Sequence, residues 1–149
     1  MMEVYWPKIS VVLQELPGHI SLAWAIRGCP LGCKGCSYKS LEKYGWYDLR
    51  LEEYESILDA HRGLASSVTF MGGEWVADFP RYLQEARERD YKTCLYTGRE
   101  IKEVSTDILA SLDFIKTGSW QGIPITEAGS NQRFYSLPDG KDLTWKFRR

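Results

Sequence analysis

Three short runs rich in β-branched and aromatic residues, SSVTFMGG, KTCLYTG and LDFIKTGSW, each stop at a glycine, and helical periodicity fills the gaps between them. DFPRYLQEARERD separates the first two as a charged amphipathic helix, with Pro80 tolerable only in its first turn. EVSTDILASL separates the second and third. Ahead of them, LRLEEYESILDAHRG places Leu51, Tyr54, Ile57 and Leu58 at helical spacing, with a glycine just past the end. VYWPKISVVLQEL and ISLAWAIRG read as strands parted by the Pro17-Gly18 turn. The tail QGIPITEAGSNQRFYSLPDGKDLTWKF reads as a loop and then a hairpin through Pro138-Asp139-Gly140. Strand and helix in alternation demand a parallel sheet with crossover helices. The 149 residues cannot close an eight-fold βα barrel, which takes about 250. The expected fold is therefore α/β, a partial (open) βα barrel with a mostly parallel, curved sheet in one domain.

In such folds chemistry gathers at the carboxyl ends of the strands. GCPLGCKGC, MGGE and YTGR each stand just after a strand. The first holds Cys29, Cys33 and Cys36 in the spacing C-x3-C-x2-C, three of the four cysteines in eight positions. Thiolates are soft ligands for zinc or for iron–sulfur clusters. A structural zinc site closes with a fourth ligand, commonly from a second pair. The remaining candidates, Cys94, His19 and His61, form no such pair. Three cysteines on a four-iron cube would leave one iron without a protein ligand, which is what substrate chemistry needs. Cys94, mid-strand, reads as a small buried hydrophobe, and His61, near a helix end, as a favourable dipole contact. In MGGE, two glycines let the backbone approach a ligand, and Glu74 can accept hydrogen bonds from an ammonium group.

C-x3-C-x2-C after a first strand resembles the signature of the radical S-adenosylmethionine enzymes, and more closely the chain resembles the anaerobic ribonucleoside-triphosphate reductase activating proteins. ELPGHISLAWAIRGC, CKGCSY, MGGE, LYTGR and GSNQR run in that family's order along most of the chain. The resemblance makes residues 1–149 one radical S-adenosylmethionine domain. It implies a [4Fe-4S] cluster on Cys29, Cys33 and Cys36, and S-adenosyl-L-methionine held at its methionine end by Gly72, Gly73 and Glu74. It further implies Thr97 near the ribose, Tyr38 near the adenine, and Asn131 in a loop facing the cofactor or a partner. The implied activity is one-electron cleavage of the bound sulfonium to a 5′-deoxyadenosyl radical. That radical then takes a hydrogen atom from a glycine of the anaerobic reductase, with a flavodoxin- or ferredoxin-like electron donor. No catalytic side chain is expected beyond the cluster and cofactor.

Three departures stand out. Thr117 occupies the place of a family aspartate, Glu74 that of an aspartate in many relatives, and Tyr44 to Tyr47 have no counterpart. Two other readings compete: a radical enzyme acting on a small molecule or on another glycyl-radical enzyme, and a non-catalytic metal-binding or electron-transfer module. The first class usually carries added cluster cysteines, which this sequence lacks.

Composition narrows the field. A net charge of −1 with no basic stripe gives no electrostatic basis for binding nucleic acid. No run approaches the roughly 18 apolar residues of a membrane span. MMEVYWPKISVV shows no charged leader followed by a long apolar stretch, so a cytoplasmic protein is expected. No Ser/His/Asp arrangement or phosphate loop appears, which suits chemistry carried by a cofactor.

Overall fold

The computed structural model describes residues 1–5, 9–13, 15–31 and 37–148, with backbone alone at 37–39. Six strands form the main sheet in the order β2-β3-β5-β6-β7-β8: β2 (Ser10–Val12), β3 (Ser21–Ala25), β5 (Ser67–Met71), β6 (Lys92–Tyr96), β7 (Phe114–Thr117) and β8 (Arg133–Ser136). The central four, β3, β5, β6 and β7, are parallel, and β2 and β8 close the two edges antiparallel. The protein is thus mixed α/β with a mostly parallel sheet, as the alternation of patterns demands. β1 (Met2–Tyr5) and β4 (Trp46–Leu49) pair as a separate antiparallel ribbon.

Three helices cover one face. In α1 (Leu51–Ala60), Glu52 and Glu53 sit in the first turn, where the helix dipole favours negative charge, and Tyr54 and Leu58 point into the core. α2 (Phe79–Glu88) carries Pro80 in its first turn and buries Phe79, Tyr82, Leu83 and Ala86, a stripe of i, i+3, i+4 and i+7. α3 (Thr106–Ala110) is short and is capped by Ser105, whose hydroxyl accepts from Ile108 N.

Against these helices lie Leu22, Trp24, Val68, Phe70, Leu95 and Ile115, the large residues on one face of the alternating strands. Trp24 stacks on Phe70 with ring centres 5.5 Å apart, and Tyr54 meets Tyr82 at 4.9 Å. Three tyrosines reach into this core because their hydroxyls find backbone carbonyls: Tyr54 donates to Tyr82, Tyr82 to Leu49 and Tyr91 to Leu58, at 2.6–2.9 Å. On the opposite face β3 and β5 present Ser21, Ala23, Ser67 and Thr69, all buried. Farther along, Cys94 and Phe134 pack with Leu16, Ile125 and Leu143.

Three local expectations differ from the structure. VYWPKISVVLQEL is not one strand: β1 and β2 belong to different sheets. The stretch before α1 contains a 3₁₀ helix, Ser37–Tyr44, and β4, neither of which has a clear periodic pattern in sequence. After β8 the chain turns at 137–139, but the return side holds only an isolated bridge between Tyr135 and Asp142, followed by a 3₁₀ turn, Thr144–Phe147. No helix among the described residues is long and apolar enough to cross a membrane.

Candidate metal and cofactor site

Because β3, β5, β6 and β7 run the same way, their carboxyl ends share one edge of the sheet. The ladder continues one residue beyond the strands, through Ile26 N to Met71 O (3.0 Å), Gly72 N to Tyr96 O (2.8 Å) and Thr97 N to Lys116 O (2.9 Å). There the chain must leave the sheet, and Gly73 does so at φ +114. A Cβ at Gly73 would lie 3.0 Å from the Phe79 ring and 3.2 Å from Ile26 Cγ1, so only glycine fits without moving the core.

The turn delivers Glu74 to the edge. Its side chain is 5 % exposed, with Arg99 Nε 3.5 Å from Oε1. Thr97 Oγ1 donates to the same oxygen at 2.7 Å and accepts from Arg99 N at 3.0 Å. Oε2 is buried and has no hydrogen-bond partner among the described residues. Burial pushes the Glu74 carboxyl above the ordinary carboxylate range, while the Thr97 hydroxyl, a backbone hydrogen bond and the Arg99 charge pull against it. Leaving a buried acceptor unpaired costs about 1–3 kcal/mol. The arrangement is therefore one acceptor, fixed in place and short of a donor.

The cysteine loop leaves β3 across the same edge. Trp75, next to Glu74, donates its indole N–H to Arg27 O at 3.1 Å. Gly28 follows at φ +100, and a Cβ there would stand 3.2 Å from that indole nitrogen. Leu31 lies against Gly98, where an added Cβ would come 2.5 Å from Leu31 Cδ1. Residues 27–31 thus pass over the turns after β5 and β6, with Cys29 exposed. Cys33 and Cys36 lie outside the described residues. Tyr38 falls on the 3₁₀ helix, and its side chain is also outside what is described.

Asn131 arrives at this edge by a different route. β8 is antiparallel to β7, so the residues just before β8 sit beside the end of β7. Asn131 Nδ2 donates to Ser119 O at 3.1 Å, and Gln132 Nε2 to Gly118 O at 3.4 Å. Asn131 Oδ1, like Glu74 Oε2, is buried without a partner among the described residues. Gly72, Gly73, Glu74, Thr97, Asn131 and Cys29 are all brought to one edge. Glu74 and Thr97 touch directly, whereas Asn131 makes its own contacts at the far end of the edge.

The other sulfur and imidazole groups stand elsewhere. His19 precedes β3 and bonds Ser66 Oγ at 2.8 Å, and Ser66 precedes β5, so both lie at the amino edge. A five-residue strand spans roughly 17 Å, which separates His19 from the cysteine loop. His61 caps α1, with Nδ1 2.8 Å from Ile57 O. Cys94 is fully buried in β6, and burial raises its thiol strongly, which keeps it protonated. Cys94→Ala should therefore leave iron binding unchanged and cost about 1 kcal/mol of stability, the scale of one buried group removed. Iron analysis beside a thermal melt checks both.

Arg99, Trp75 and Arg27 were not singled out by sequence reasoning. The available clue for Arg99 was its place in YTGR, two residues past Thr97.

The fold is that of an α/β protein with its glycine-bearing turns gathered at the carboxyl ends of the parallel strands of a mostly parallel sheet. The family described as a 4Fe-4S single cluster domain matches residues 17–131, which include all three clustered cysteines and every other residue assigned above to the edge. The chain belongs to this family. No curated protein and no solved structure matches the chain.

Proposed function

We propose that this protein is a radical S-adenosylmethionine activating enzyme that installs a glycyl radical on an anaerobic ribonucleotide reductase. The observation that carries the reading is Glu74: a buried carboxylate whose Oε2 lacks a donor among the described residues, held by Thr97 and Arg99 beside the turn that begins the cysteine loop. An ammonium group supplies the missing donor, and S-adenosylmethionine carries one. The donor set fits the cluster: the family binds a single 4Fe-4S cluster, and three cysteines leave one iron free of protein ligand.

A reduced cluster held by Cys29, Cys33 and Cys36 would supply the single electron, and S-adenosylmethionine the sulfonium bond it cleaves, for taking a hydrogen atom from a glycine Cα. The chain's own residues bind and orient. Cys29, Cys33 and Cys36 hold the iron, Gly72 and Gly73 let the backbone approach, and Glu74 takes the ammonium. Thr97 fixes the Glu74 carboxylate by its hydroxyl and leaves backbone for the ribose side. Asn131 offers a buried amide oxygen at the far end of the edge, and Tyr38 follows the loop on the adenine side.

We read the sheet as an open barrel. The small residues Ser21, Ala23, Ser67 and Thr69, on the face away from the three α-helices, support this, because small side chains there let a sheet curl. The same reading places the protein in the cytoplasm with a flavodoxin- or ferredoxin-like donor.

The test is anaerobic reconstitution with iron and sulfide, followed by dithionite and S-adenosylmethionine. About four irons per chain and release of 5′-deoxyadenosine are expected. Transfer to the reductase is then read as a glycyl radical signal by electron paramagnetic resonance. One tightly held zinc and no deoxyadenosine would overturn the reading.

A further inference from the structure

Trp46, within the stretch from Tyr44 to Tyr47, finds its place against Arg27. Arg27 stands two residues before Cys29, where the cysteine loop begins. Its backbone is held on both sides: N donates to Glu3 O at 2.9 Å, and O accepts from Trp75 Nε1 at 3.1 Å. Its guanidinium reaches Glu3 Oε2 at 2.9 Å through Nη1 and Glu42 Oε1 at 3.2 Å through Nε. Tyr5 donates to the same Glu42 oxygen at 2.7 Å. The guanidinium carbon lies 4.5 Å from the centre of the Trp46 ring.

These partners come from both ends of the loop. Glu3 and Tyr5 are on β1, which bridges the chain at Ile26 as the loop is entered. Glu42 is on the 3₁₀ helix by which the chain leaves the loop, and Trp46 is on β4, paired with Tyr5 of β1. The β1–β4 ribbon therefore brackets the segment bearing Cys29, Cys33 and Cys36, and the Arg27 side chain touches the bracket on each side.

Its charge points to geometry rather than to neutralising a cluster. Two carboxylates meet one guanidinium, so the group as a whole offers no positive charge to an anionic thiolate site. What remains is a forked donor holding two backbone segments at fixed separation. An isolated exposed ion pair contributes little, but here two pairs and an aromatic face converge on one side chain, and the Tyr5 hydroxyl fixes one of the two carboxylates.

We propose that Arg27 is a positioning residue that closes the base of the three-cysteine loop and thereby sets how firmly the loop keeps its cluster. The proposal rests on the cluster being held by Cys29, Cys33 and Cys36, and not on the chemistry at Glu74.

The test is the rate at which the reconstituted full chain loses its cluster to a strong iron chelator, followed by visible absorbance without turnover. Arg27→Ala should speed the loss about tenfold, the combined scale of two ion pairs and a cation–π contact. Glu42→Gln removes one arm of the clamp from an exposed position, so it should fold normally and lie between wild type and Arg27→Ala. Arg27→Lys keeps charge without the fork and should rescue only in part. Rising salt screens the pairs, so it should speed loss from wild type and not from Arg27→Ala. Melting of the apoprotein should move by only a few degrees in each variant.

Loss at the wild-type rate from folded Arg27→Ala or Glu42→Gln protein would overturn the proposal. So would equal salt dependence in wild type and Arg27→Ala. Failure of the wild-type chain to hold about four irons would instead strike the cluster assignment on which the proposal rests.

Discussion

Replacing Cys29, Cys33 or Cys36 by alanine is expected to take the reconstituted protein from about four irons per chain to less than one. A cube with one iron already free of protein ligand cannot lose a second thiolate and stay anchored. The fold should survive the change. Cys29 is exposed, and the core is built from Trp24, Tyr54, Phe70, Phe79 and Tyr82 under the helices. Cys29→Ala should therefore alter apoprotein stability by no more than about 0.5 kcal/mol, as exposed substitutions do. Iron and sulfide assays on each variant, with circular dichroism to verify the fold, decide the point. A variant that keeps its full iron would remove that cysteine from the ligand set. Comparison with Cys94→Ala separates a thiol that binds iron from one that only packs.

Glu74→Gln is expected to keep the cluster but bind S-adenosylmethionine about 10- to 100-fold more weakly, the equivalent of one hydrogen bond to a charged group. The amide oxygen can still accept from Thr97, so the turn should hold its shape while the charge is lost. The pH dependence gives an independent check. Burial raises the Glu74 carboxyl, so the folded apoprotein binds its proton more tightly than the unfolded chain does. By linkage, that contribution to stability is complete below the unfolded value and is lost as pH rises through the raised folded value. Ligand affinity should move the opposite way, since an ammonium group needs the ionised carboxylate. Acidification through the raised value should weaken binding to wild type and leave Glu74→Gln unaffected. Isothermal titration calorimetry across that window measures both. Equal affinity in the two proteins would remove Glu74 from the cofactor site.

How far the sequence could be read follows from where each interaction lies along the chain. The β-branched runs ending at Gly72, Gly98 and Gly118 are local patterns of period two with a stop, and the strands β5, β6 and β7 stand where those patterns are. The stripe on α2 is equally local, and Pro80 marks its first turn. By contrast, β1 and β4 are four-residue strands whose partner lies more than forty positions away, and nothing within either announces the pairing. The hairpin expected at Pro138-Asp139-Gly140 has turn chemistry in sequence, yet its return side makes only a single bridge, because the chain turns away to place Leu143 against Cys94 and Phe134.

The site divides the same way. The sequence by itself determined that three thiolates share one short loop and that glycines follow several strands, because spacing along the chain is a covalent fact. The direction of the parallel strands then made it necessary that these turns meet at one edge. Only the tertiary structure decided what the side chains do there. It gave the Thr97 hydroxyl to Glu74, left Glu74 Oε2 buried without a donor among the described residues, and brought Asn131 to the edge through an antiparallel last strand. It also gathered Glu3, Glu42 and Trp46 around Arg27. Such contacts join residues that no local periodicity links, and they are set by how the helices and the β1–β4 ribbon pack onto the sheet.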